Sequence, residues 1–530
     1  MNDSECPTQF SPLTDSLKRL RPNHHYQDEV KVDHPLFNQT SISKPGDVRF
    51  MTKTRLFASA VLLSFAFGSS RVAAAQDNIS PEQPTAQQKP APAPSGIFAP
   101  RGKVITPPSS ISRPGKGVHT NFKIFVPTGH EVSSAIPDYT FAETPASMGC
   151  VYKVGPNYAG CNPATGGSDH ASGGWGAIAL VDAYDDPTAA SDLAFFDSHW
   201  GLPKANFTVV YANSSFGTLN GLTADCSGTP PPANANFGWD IEESLDIEWA
   251  HAMAPAAKII LVEACDQSLP QLLFAEEVAG LEVSKSGGGD ISNSWGYPES
   301  CVGNPSCGGG TLTEQQDDNY FFRYYYSQIS YFASAGDIGA EVLFPSASPW
   351  VVSAGGTTVN RDASGNFLNE SCWSDSGGGL STVEAWQNPP TIANGMGPWS
   401  DYQYQMFGGS PYNFPARSTP DISFNADPAS GVWVYDTDEG GAWYIVGGTS
   451  VSSPALAGLV NASNNRLGQT PPGGGYYATH ENDLLYSQLY AKTAYTGNFY
   501  DVTTGSNGHA AGTGYDQCTG IGSPRGHLGK

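Results

Sequence analysis

The chain has 530 residues, and its 50 acidic residues outnumber its 26 basic residues, which gives a formal net charge of −24. Nucleic-acid binding needs clustered Lys and Arg, and an anionic membrane surface repels an acidic chain, so the charge argues against both partners. With 39% hydrophobic and 11% aromatic residues, the chain can bury a large core, which argues against disorder throughout. The acidic excess is therefore the feature that a function must explain.

An export signal is predicted over residues 51–75. This segment has a basic start, an apolar run over residues 56–67 and a small-residue cleavage site. The apolar run is well short of the roughly 20 residues that cross a membrane. We therefore expect a secreted or extracytoplasmic protein that starts at Met51, with residues 1–50 a start-site artefact or a disordered extension.

The cysteines agree with export. Eight of the nine cysteines follow Met51, and an even number in an exported chain predicts up to four disulfides. Short loops make Cys150–Cys161 and Cys301–Cys307 the best candidate pairs. No C-x-x-C spacing occurs, so the cysteines do not indicate a zinc site.

The rest of the chain alternates between two patterns. Residues 76–115 are rich in Pro, Gln, Ala and Ser and predict an extended linker. Strands are predicted over 176–182, 258–263, 290–294, 329–334 and 442–446, and helices over 189–200, 242–253 and 455–460. This alternation predicts an α/β fold with a largely parallel sheet, whose chemistry lies at the carboxyl ends of the strands.

A serine near the start of a predicted helix is the candidate nucleophile. Residues 447–454 read GGTSVSSP and lie between a strand and an apolar helix. Ser450 would then lie beside unpaired backbone N–H groups, which can stabilise an oxyanion. Pro454 fits an early helical turn, where a missing N–H costs little. An ordinary Ser/Thr helix cap gives the same pattern, so this segment alone leaves both interpretations open.

A serine nucleophile needs a base, and one predicted helix offers two carboxylates. Glu242 and Asp246 lie at i and i+4 on one helix face, and His251 lies about 140° further around the helix from Asp246. Acidic residues early in a helix are otherwise ordinary partners of the helix dipole. A carboxylate pair can accept the serine proton if burial or mutual repulsion raises its pKa, and such an enzyme works best in acid.

A third acidic residue follows a predicted strand. Asp337 lies between glycines in residues 334–339, which read SAGDIG. When it is protonated, its carboxyl group can donate a hydrogen bond to an oxyanion. Gly-Asp turns are common, so this segment alone is a weak signal.

Taken together, three segments resemble the sedolisin (serine-carboxyl peptidase) family, whose fold is subtilisin-like. They are Glu242-x-x-x-Asp246, Ser334-Ala-Gly-Asp337 and Gly448-Thr-Ser450-x-Ser-x-Pro454, in the order that the family has them. The resemblance runs from about residue 144 to the C-terminus. It implies a mostly parallel central sheet flanked by helices, in a single peptidase domain over residues 116–530.

The resemblance also implies roles for the residues. Ser450 would be the nucleophile, Glu242 the general base and Asp246 the carboxylate that orients and tunes it. Asp337 would donate a hydrogen bond in the oxyanion hole. Asp182 and Trp295 would extend the hydrogen-bond network.

One structural Ca²⁺ is implied near the C-terminus. Its ligands would be the side chains of Asp501 and Asp516 and the carbonyl groups of Val502, Gly512 and Gly514. Hard oxygen ligands in a glycine-rich loop suit this ion. The chain departs from the family's pattern on the N-terminal side of the predicted peptidase domain. The family usually carries a long folded propeptide there, and residues 76–115 are too short and too Pro-rich to form one.

The expected function is that of a secreted endopeptidase that hydrolyses peptide bonds at acidic pH through an acyl-enzyme. It would act as a monomer on proteins or peptides, with no nucleic-acid partner and no membrane contact after signal cleavage. Two alternatives remain open. One is a subtilisin-like protease that depends on His251, and the other is a catalytically silent, secreted binding module on the same fold.

Overall fold

A computed structural model describes residues 97–98, 100–112, 118–133, 137–228, 230–233, 238–304, 312–321, 328–385, 414–438, 442–463, 481–482, 484–486 and 495–530. The predicted export signal and residues 1–50 lie outside the described residues, as does most of the predicted linker. Among the described residues, no helix is both long enough and apolar enough to cross a membrane.

Helices and strands alternate along the chain. The strands are β1 (Ile97–Phe98), β2 (Gly102–Ile105), β3 (His119–Thr120), β4 (Lys123–Pro127), β5 (Ala177–Ala183), β6 (Asn206–Ala212), β7 (Thr218–Leu219), β8 (Leu222–Thr223), β9 (Lys258–Ala264), β10 (Gly289–Asn293), β11 (Trp295–Pro298), β12 (Ile329–Ser334), β13 (Leu343–Phe344), β14 (Val351–Asp362), β15 (Phe367–Cys372), β16 (Gly379–Ala385), β17 (Ala416–Thr419), β18 (Ile422–Asn425), β19 (Val432–Tyr435), β20 (Trp443–Gly447), β21 (Phe499–Tyr500) and β22 (Ser523–Pro524). The helices are α1 (Pro145–Val151), α2 (Ala189–Trp200), α3 (Trp239–Met253), α4 (Leu269–Lys285), α5 (Glu314–Asp317), α6 (Thr449–Ala462) and α7 (Tyr495–Asn498).

The main sheet has nine strands within the described part of the chain. Its order is β1-β14-β12-β10-β5-β9-β6, and β15 and β18 also pair with β14. Only β1 and β15 run antiparallel to their neighbour, and every other pair is parallel. The expected α/β architecture with a mostly parallel sheet is therefore confirmed.

Each face of the main sheet is covered by its own apolar core. In β5, Ile178 and Leu180 pack into one core together with side chains of α3 and α6. The alternating residues Ala179 and Val181 pack into the other core, to which α4 contributes most of its length. Since successive strand residues point to opposite faces, a strand buried on both sides reads as one continuous apolar run. This packing fixes α3 and α6 on the same face of the sheet.

A smaller antiparallel sheet leads into the candidate catalytic helix. Its strand order is β19-β20-β4-β2. Strand β20 ends at Gly447, just before α6 begins. Its neighbour β4 lies antiparallel, with Lys123 opposite Gly447. The stretch that contains β4 therefore passes close to the start of α6.

Part of the predicted linker has defined structure. Strand β2 pairs antiparallel with β4, and β1 pairs with the end of β14. Within β2, a Cβ on Gly102 would collide with the ring of Phe125, so only glycine allows this close approach. The strand is mostly exposed and is held by backbone pairing, which composition does not record. The domain boundaries themselves stay predictions.

Disulfides tie loops to this framework. The described cysteines form the pairs Cys150–Cys161, Cys226–Cys265 and Cys372–Cys518. The first of these is the pair that the short loop predicts. The predicted partner of Cys301 lies outside the described residues, so that pair stays a prediction.

Candidate active site

The predicted catalytic residues come from three elements that meet at the carboxyl edge of the main sheet. Glu242 and Asp246 lie on the first half of α3, and Ser450 is the second residue of α6. Asp337 lies in the loop that follows β12. The side chains of the first three are fully buried, and Asp337 is buried as well. The structure therefore brings together the residues that the sequence singles out far apart along the chain.

Ser450 is held by hydrogen bonds of its side-chain hydroxyl and of its backbone N–H. Its Oγ donates a hydrogen bond to the carbonyl oxygen of Ser294 at 3.0 Å and accepts one from the backbone N–H of Asn121 at 3.1 Å. The backbone N–H of Ser450 donates to the carbonyl oxygen of Asn121 at 2.9 Å. The hydroxyl group of Ser450 also lies beside Glu242 and favours the charged form of that carboxyl group.

The start of α6 depends on two special residues. Gly448 has a φ of 116°, and a Cβ there would collide with the Asn121 carbonyl oxygen and with Asp337 Oδ2. Pro454 lies inside the helix rather than in its first turn, which differs from the sequence-based expectation. Because proline lacks an N–H, the Ser450 carbonyl four residues earlier keeps a free acceptor. Ser294 Oγ lies 3.3 Å from that carbonyl oxygen and can use it.

Three buried carboxyl groups face one another beside Ser450. Burial raises the pKa of Glu242 well above its usual range, and the charges of Asp246 and Asp182 raise it further. Burial also raises the pKa of Asp246, as does the charge of Asp182, while a hydrogen bond from Ser294 Oγ at 2.7 Å opposes the shift. Burial raises the pKa of Asp182 to about 8. The three carboxyl groups together therefore carry few negative charges, because each charge makes it harder to ionise the next group.

The two oxygens of Asp337 have different surroundings. Its Oδ1 accepts hydrogen bonds from the backbone N–H and the hydroxyl of Thr449, at 2.8 and 2.9 Å. Its Oδ2 is buried and has no hydrogen-bond partner among the described residues. Burial raises the pKa of Asp337 to about 7, against the opposing effects of Lys123 and of the Thr449 donors. In acid, a proton on Oδ2 would be free to donate a hydrogen bond.

Sequence reasoning missed several residues of this site. Ser294 and Thr449 each lie directly beside a residue that was singled out, and each hydrogen-bonds to a predicted catalytic carboxylate. Asn121, Lys123 and Ser334 form a second set around Ser450 and Asp337. Asn121 and Lys123 belong to a segment without any recognisable motif, so no local signal could have found them.

His251 and Trp295, which the sequence analysis also considered for the site, contact backbone carbonyl groups. Nε2 of His251 lies 2.8 Å from the Pro203 carbonyl oxygen and 3.3 Å from Asp197 Oδ1. His251 follows Glu242 by nine residues, or about 13 Å along a helix. The structure therefore does not bring it to the nucleophile. The ring N–H of Trp295 donates to a backbone carbonyl, that of Val181, at 3.0 Å.

The predicted calcium ligands converge on one C-terminal loop. Asp501 Oδ1 accepts a hydrogen bond from the backbone N–H of Gly514, and Asp516 Oδ2 accepts one from that of Gly512. Both carboxylates therefore face the same glycine-rich turn. Asp516 Oδ1 also accepts hydrogen bonds from the backbone N–H groups of Cys518 and Thr519. No cluster of three or more His, Cys, Asp or Glu side chains suited to a metal occurs among the described residues. A site of two carboxylates completed by carbonyl oxygens still fits a calcium ion.

Comparison with known proteins finds relatives over part of the chain. Kumamolisin of Bacillus sp. (strain MN-32) is 31% identical over 364 residues, which cover 63% of this chain and 58% of kumamolisin. Sedolisin of Pseudomonas sp. (strain 101) is 30% identical over 204 residues, which cover 34% of this chain and 28% of sedolisin. The chain is thus similar in sequence to members of the sedolisin family. No family model matches it.

A solved structure shows the same fold. Pseudomonas sedolisin, described as a serine-carboxyl proteinase in complex with two molecules of pseudo-iodotyrostatin, aligns with a TM-score of 0.53 and 22% identity. The alignment covers 73% of this chain and 96% of that one. The chain thus has the sedolisin fold, although it spans less than two thirds of the length of the curated sedolisin relatives named above.

Proposed function

We propose that this protein is a secreted serine-carboxyl endopeptidase that hydrolyses peptide bonds of proteins or peptides in acid. The observation that supports it best is the setting of Ser450. Its hydroxyl lies beside a buried pair of carboxyl groups, Glu242 and Asp246, and its backbone N–H points to the same place as the unpartnered Oδ2 of Asp337. A nucleophile, a base and two oxyanion donors are the parts that acyl transfer needs.

In the proposed mechanism, Glu242 accepts the proton of Ser450 as Oγ bonds to the substrate carbonyl carbon. Asp246 shares a proton with Glu242 and holds it in place. The negative charge on the substrate oxygen accepts hydrogen bonds from the Ser450 N–H and from protonated Asp337. Glu242 then returns the proton to the leaving amine, and a water molecule hydrolyses the acyl-enzyme by the same steps.

Acid favours this arrangement for two reasons. A deprotonated Asp337 has no proton to donate, and its pKa of about 7 means that the donor form prevails below neutral pH. The coupled carboxyl groups beside Ser450 also hold a shared proton more readily in acid. We therefore expect activity on denatured protein to rise as the pH falls below 7, and to decline again where Glu242 and Asp246 are both protonated and no base is left.

Substitution of the serine and of the base tests the proposal. We expect Ser450→Ala to abolish turnover and Glu242→Gln to lower kcat by about 10²–10⁴, because general-base catalysis is lost. Glu248→Gln is the matched control, since Glu248 is also buried on α3 but interacts with Tyr435, Asp192 and Asp436. Cleavage of denatured protein at acidic pH is the measurement. Full activity of Ser450→Ala would refute the proposed function.

We also propose that Asp501, Asp516 and the carbonyl groups of Val502, Gly512 and Gly514 hold one structural Ca²⁺. The ion would neutralise the half-buried carboxylate of Asp501 and the buried one of Asp516, and it would fix the C-terminal loop. We expect a calcium chelator to lower the unfolding temperature of the Ser450→Ala protein, and Asp501→Asn to remove the response. Calorimetric titration with Ca²⁺ measures binding directly. No heat of binding at millimolar Ca²⁺ would contradict this site.

A further inference from the structure

Ser294 contacts the candidate catalytic centre through both its backbone and its side chain. It lies between β10 and β11 and is fully buried. Its carbonyl oxygen accepts the hydrogen bond that Ser450 Oγ donates at 3.0 Å. Its hydroxyl oxygen lies 2.7 Å from Asp246 Oδ1 and 3.3 Å from the carbonyl oxygen of Ser450. One residue therefore touches both the proposed nucleophile and the carboxyl group proposed to hold the base in place.

The hydroxyl group of Ser294 has one proton for two acceptors, because a serine hydroxyl donates a single hydrogen bond. The distance of 2.7 Å to Asp246 Oδ1 is typical of a hydroxyl that donates to a charged oxygen. The distance of 3.3 Å to the Ser450 carbonyl oxygen is long for a hydroxyl donor. The distances therefore favour Asp246 as the acceptor, with the Ser450 carbonyl oxygen as the second choice.

Pro454 is the reason that the second acceptor exists. In an α-helix, the carbonyl oxygen of Ser450 accepts the N–H of the residue four positions later, and that residue is Pro454, which has no N–H. Ser450 is fully buried, and a buried carbonyl oxygen needs a donor. The Ser294 hydroxyl can supply that donor only when it no longer donates to Asp246.

The charge of Asp246 decides which acceptor the hydroxyl uses. Two carboxyl groups act on that charge, namely Asp182 in β5 and Glu242 one turn earlier on α3. When Asp246 is ionised, the hydrogen bond from Ser294 is charge-assisted and is the stronger of the two. When Asp246 is protonated, this advantage is lost, and the Ser294 proton can turn to the Ser450 carbonyl oxygen.

We propose that Ser294 is a positioning residue that links the charge of Asp246 to the backbone of Ser450 and so sets the acid limit of activity. The inference rests on the proposed peptidase function, in which Glu242 and Asp246 together must keep a negative charge to accept the Ser450 proton. In the ionised state, Ser294 stabilises that charge, so the pair keeps its charge to lower pH. In the protonated state, the same hydroxyl stabilises the form that has no base.

Two substitutions are expected to shift the fall in rate at low pH, here called the acid limb, in opposite directions. Ser294→Ala removes the donor that stabilises the ionised pair. The acid limb is therefore expected to move to higher pH by about one unit, because a hydrogen bond to a charged group contributes roughly that much. Pro454→Ala provides an N–H for the Ser450 carbonyl oxygen. The protonated state then gains nothing from Ser294, and the acid limb is expected to move to lower pH.

The experiment measures kcat and KM of the full chain and its variants from pH 2 to 7, on one peptide without ionisable side chains. Ser292→Ala is the matched control, because Ser292 also carries a buried hydroxyl, on β10, but pairs with Ser453 Oγ at 2.8 Å. It is expected to keep the acid limb of the unchanged chain. A merely structural role of Ser294 would lower kcat by the same factor at every pH and leave the acid limb in place.

The outcomes separate this inference from the proposed function. If the unchanged chain cleaves the peptide through Ser450 but Ser294→Ala keeps its acid limb, or Pro454→Ala moves the limb to higher pH, the link is wrong and the peptidase proposal stands. If the unchanged chain does not cleave the peptide at any pH, both proposals fail. Denaturant titration shows which variants are folded, and Pro454→Ala alone tests the direction of the shift if Ser294→Ala does not fold.

Discussion

Asp337 is held firmly through one carboxyl oxygen, while its other carboxyl oxygen is left without a partner among the described residues. Its Oδ1 is fixed by two donors of Thr449, and its Oδ2 is buried without a hydrogen-bond partner among the described residues. The residue is therefore held in one orientation while one oxygen stays free for a proton. An asparagine could keep this geometry, with its carbonyl oxygen at Oδ1 and its amide group at Oδ2, because the amide donates at every pH.

This leads to a prediction about the pH dependence of activity. Asp337→Ala is expected to lower kcat by about 10²–10³, as removal of an oxyanion donor does in other enzymes. Asp337→Asn is expected to keep more activity and to lose the fall in rate near pH 7, since the group with a pKa of about 7 is gone. Rates on one peptide from pH 3 to 9 measure both effects. A fall near pH 7 that persists in Asp337→Asn would assign it to another group.

At the scale of elements, the loop after β12 and the start of α6 are joined through Thr449. Its hydroxyl accepts the Gly336 N–H at 3.0 Å and lies within hydrogen-bond distance of Asp337 Oδ1 and of the Gly336 carbonyl. The two elements that carry Ser450 and Asp337 thus share one buried side chain. A helix start held in this way fixes the distance between the proposed nucleophile and the proposed oxyanion donor.

Thr449→Val removes this connection without a change of shape. The variant is expected to lose about 1–3 kcal/mol of unfolding free energy, because the buried Gly336 N–H loses its acceptor. It is also expected to move the upper limb of the pH–rate profile to higher pH, since a donor that lowers the pKa of Asp337 is lost. Thr449→Ser keeps the hydroxyl and serves as the control. Denaturant titration and pH profiles of the three proteins measure both effects, and identical profiles for all three would contradict the connection.

The sequence patterns predict the bounds of some helices correctly and those of others wrongly, and packing explains the difference. Helix α2 is found at its predicted bounds, because its apolar spacing is regular. Helix α6 begins at Thr449, well before the predicted residue 455. Its first turns contain Ser, Thr and Pro, which form helices poorly, and burial against α3 overrides that propensity.

Sequence patterns likewise predict only some of the residues of the candidate active site. Ser450, Glu242 and Asp246 belong to local motifs, so their proximity could be expected from sequence. The hydrogen bond between Asn121 and Ser450 joins residues that are 329 positions apart. Nothing in the composition of residues 118–127 marks them as neighbours of the nucleophile. Contacts made by backbone pairing depend on the strand order of the sheets, which a single sequence does not contain.

At the scale of the whole molecule, several of the acidic residues that make the net charge negative are buried inside the protein. Burial, together with the charges of Glu299, Asp318 and Glu384, raises the pKa of Glu314 to about 11. Several other buried carboxyl groups far from this one also have raised pKa values, namely Asp182, Asp186, Glu263, Asp290 and Glu481. The folded chain therefore binds more protons than the unfolded chain across a broad range of pH.

This excess of bound protons sets the direction of the stability change. Where the folded state binds more protons, the unfolding free energy falls as the pH rises, by about 1.4 kcal/mol per pH unit for each such group. For Glu314 the range runs from its ordinary pKa of 4.5 up to about 11. We expect the protein to be most stable near pH 4 and to lose stability steadily towards pH 8. Buried histidines with lowered pKa values, such as His119, oppose this trend only below their ordinary pKa of 6.5.

The pH dependence of unfolding can be measured free of self-digestion in the Ser450→Ala protein. Denaturant titrations between pH 4 and 8 are expected to give a falling unfolding free energy. Glu314→Gln is expected to make the slope shallower, by up to about 1.4 kcal/mol per pH unit, because one proton-binding difference is removed. Glu282→Gln changes a glutamate that pairs with Lys285 at the end of α4 and is expected to leave the slope unchanged. Stability that rises between pH 4 and 7 would mean that the buried carboxyl groups ionise in the folded state, and the molecule would then need cations to neutralise them.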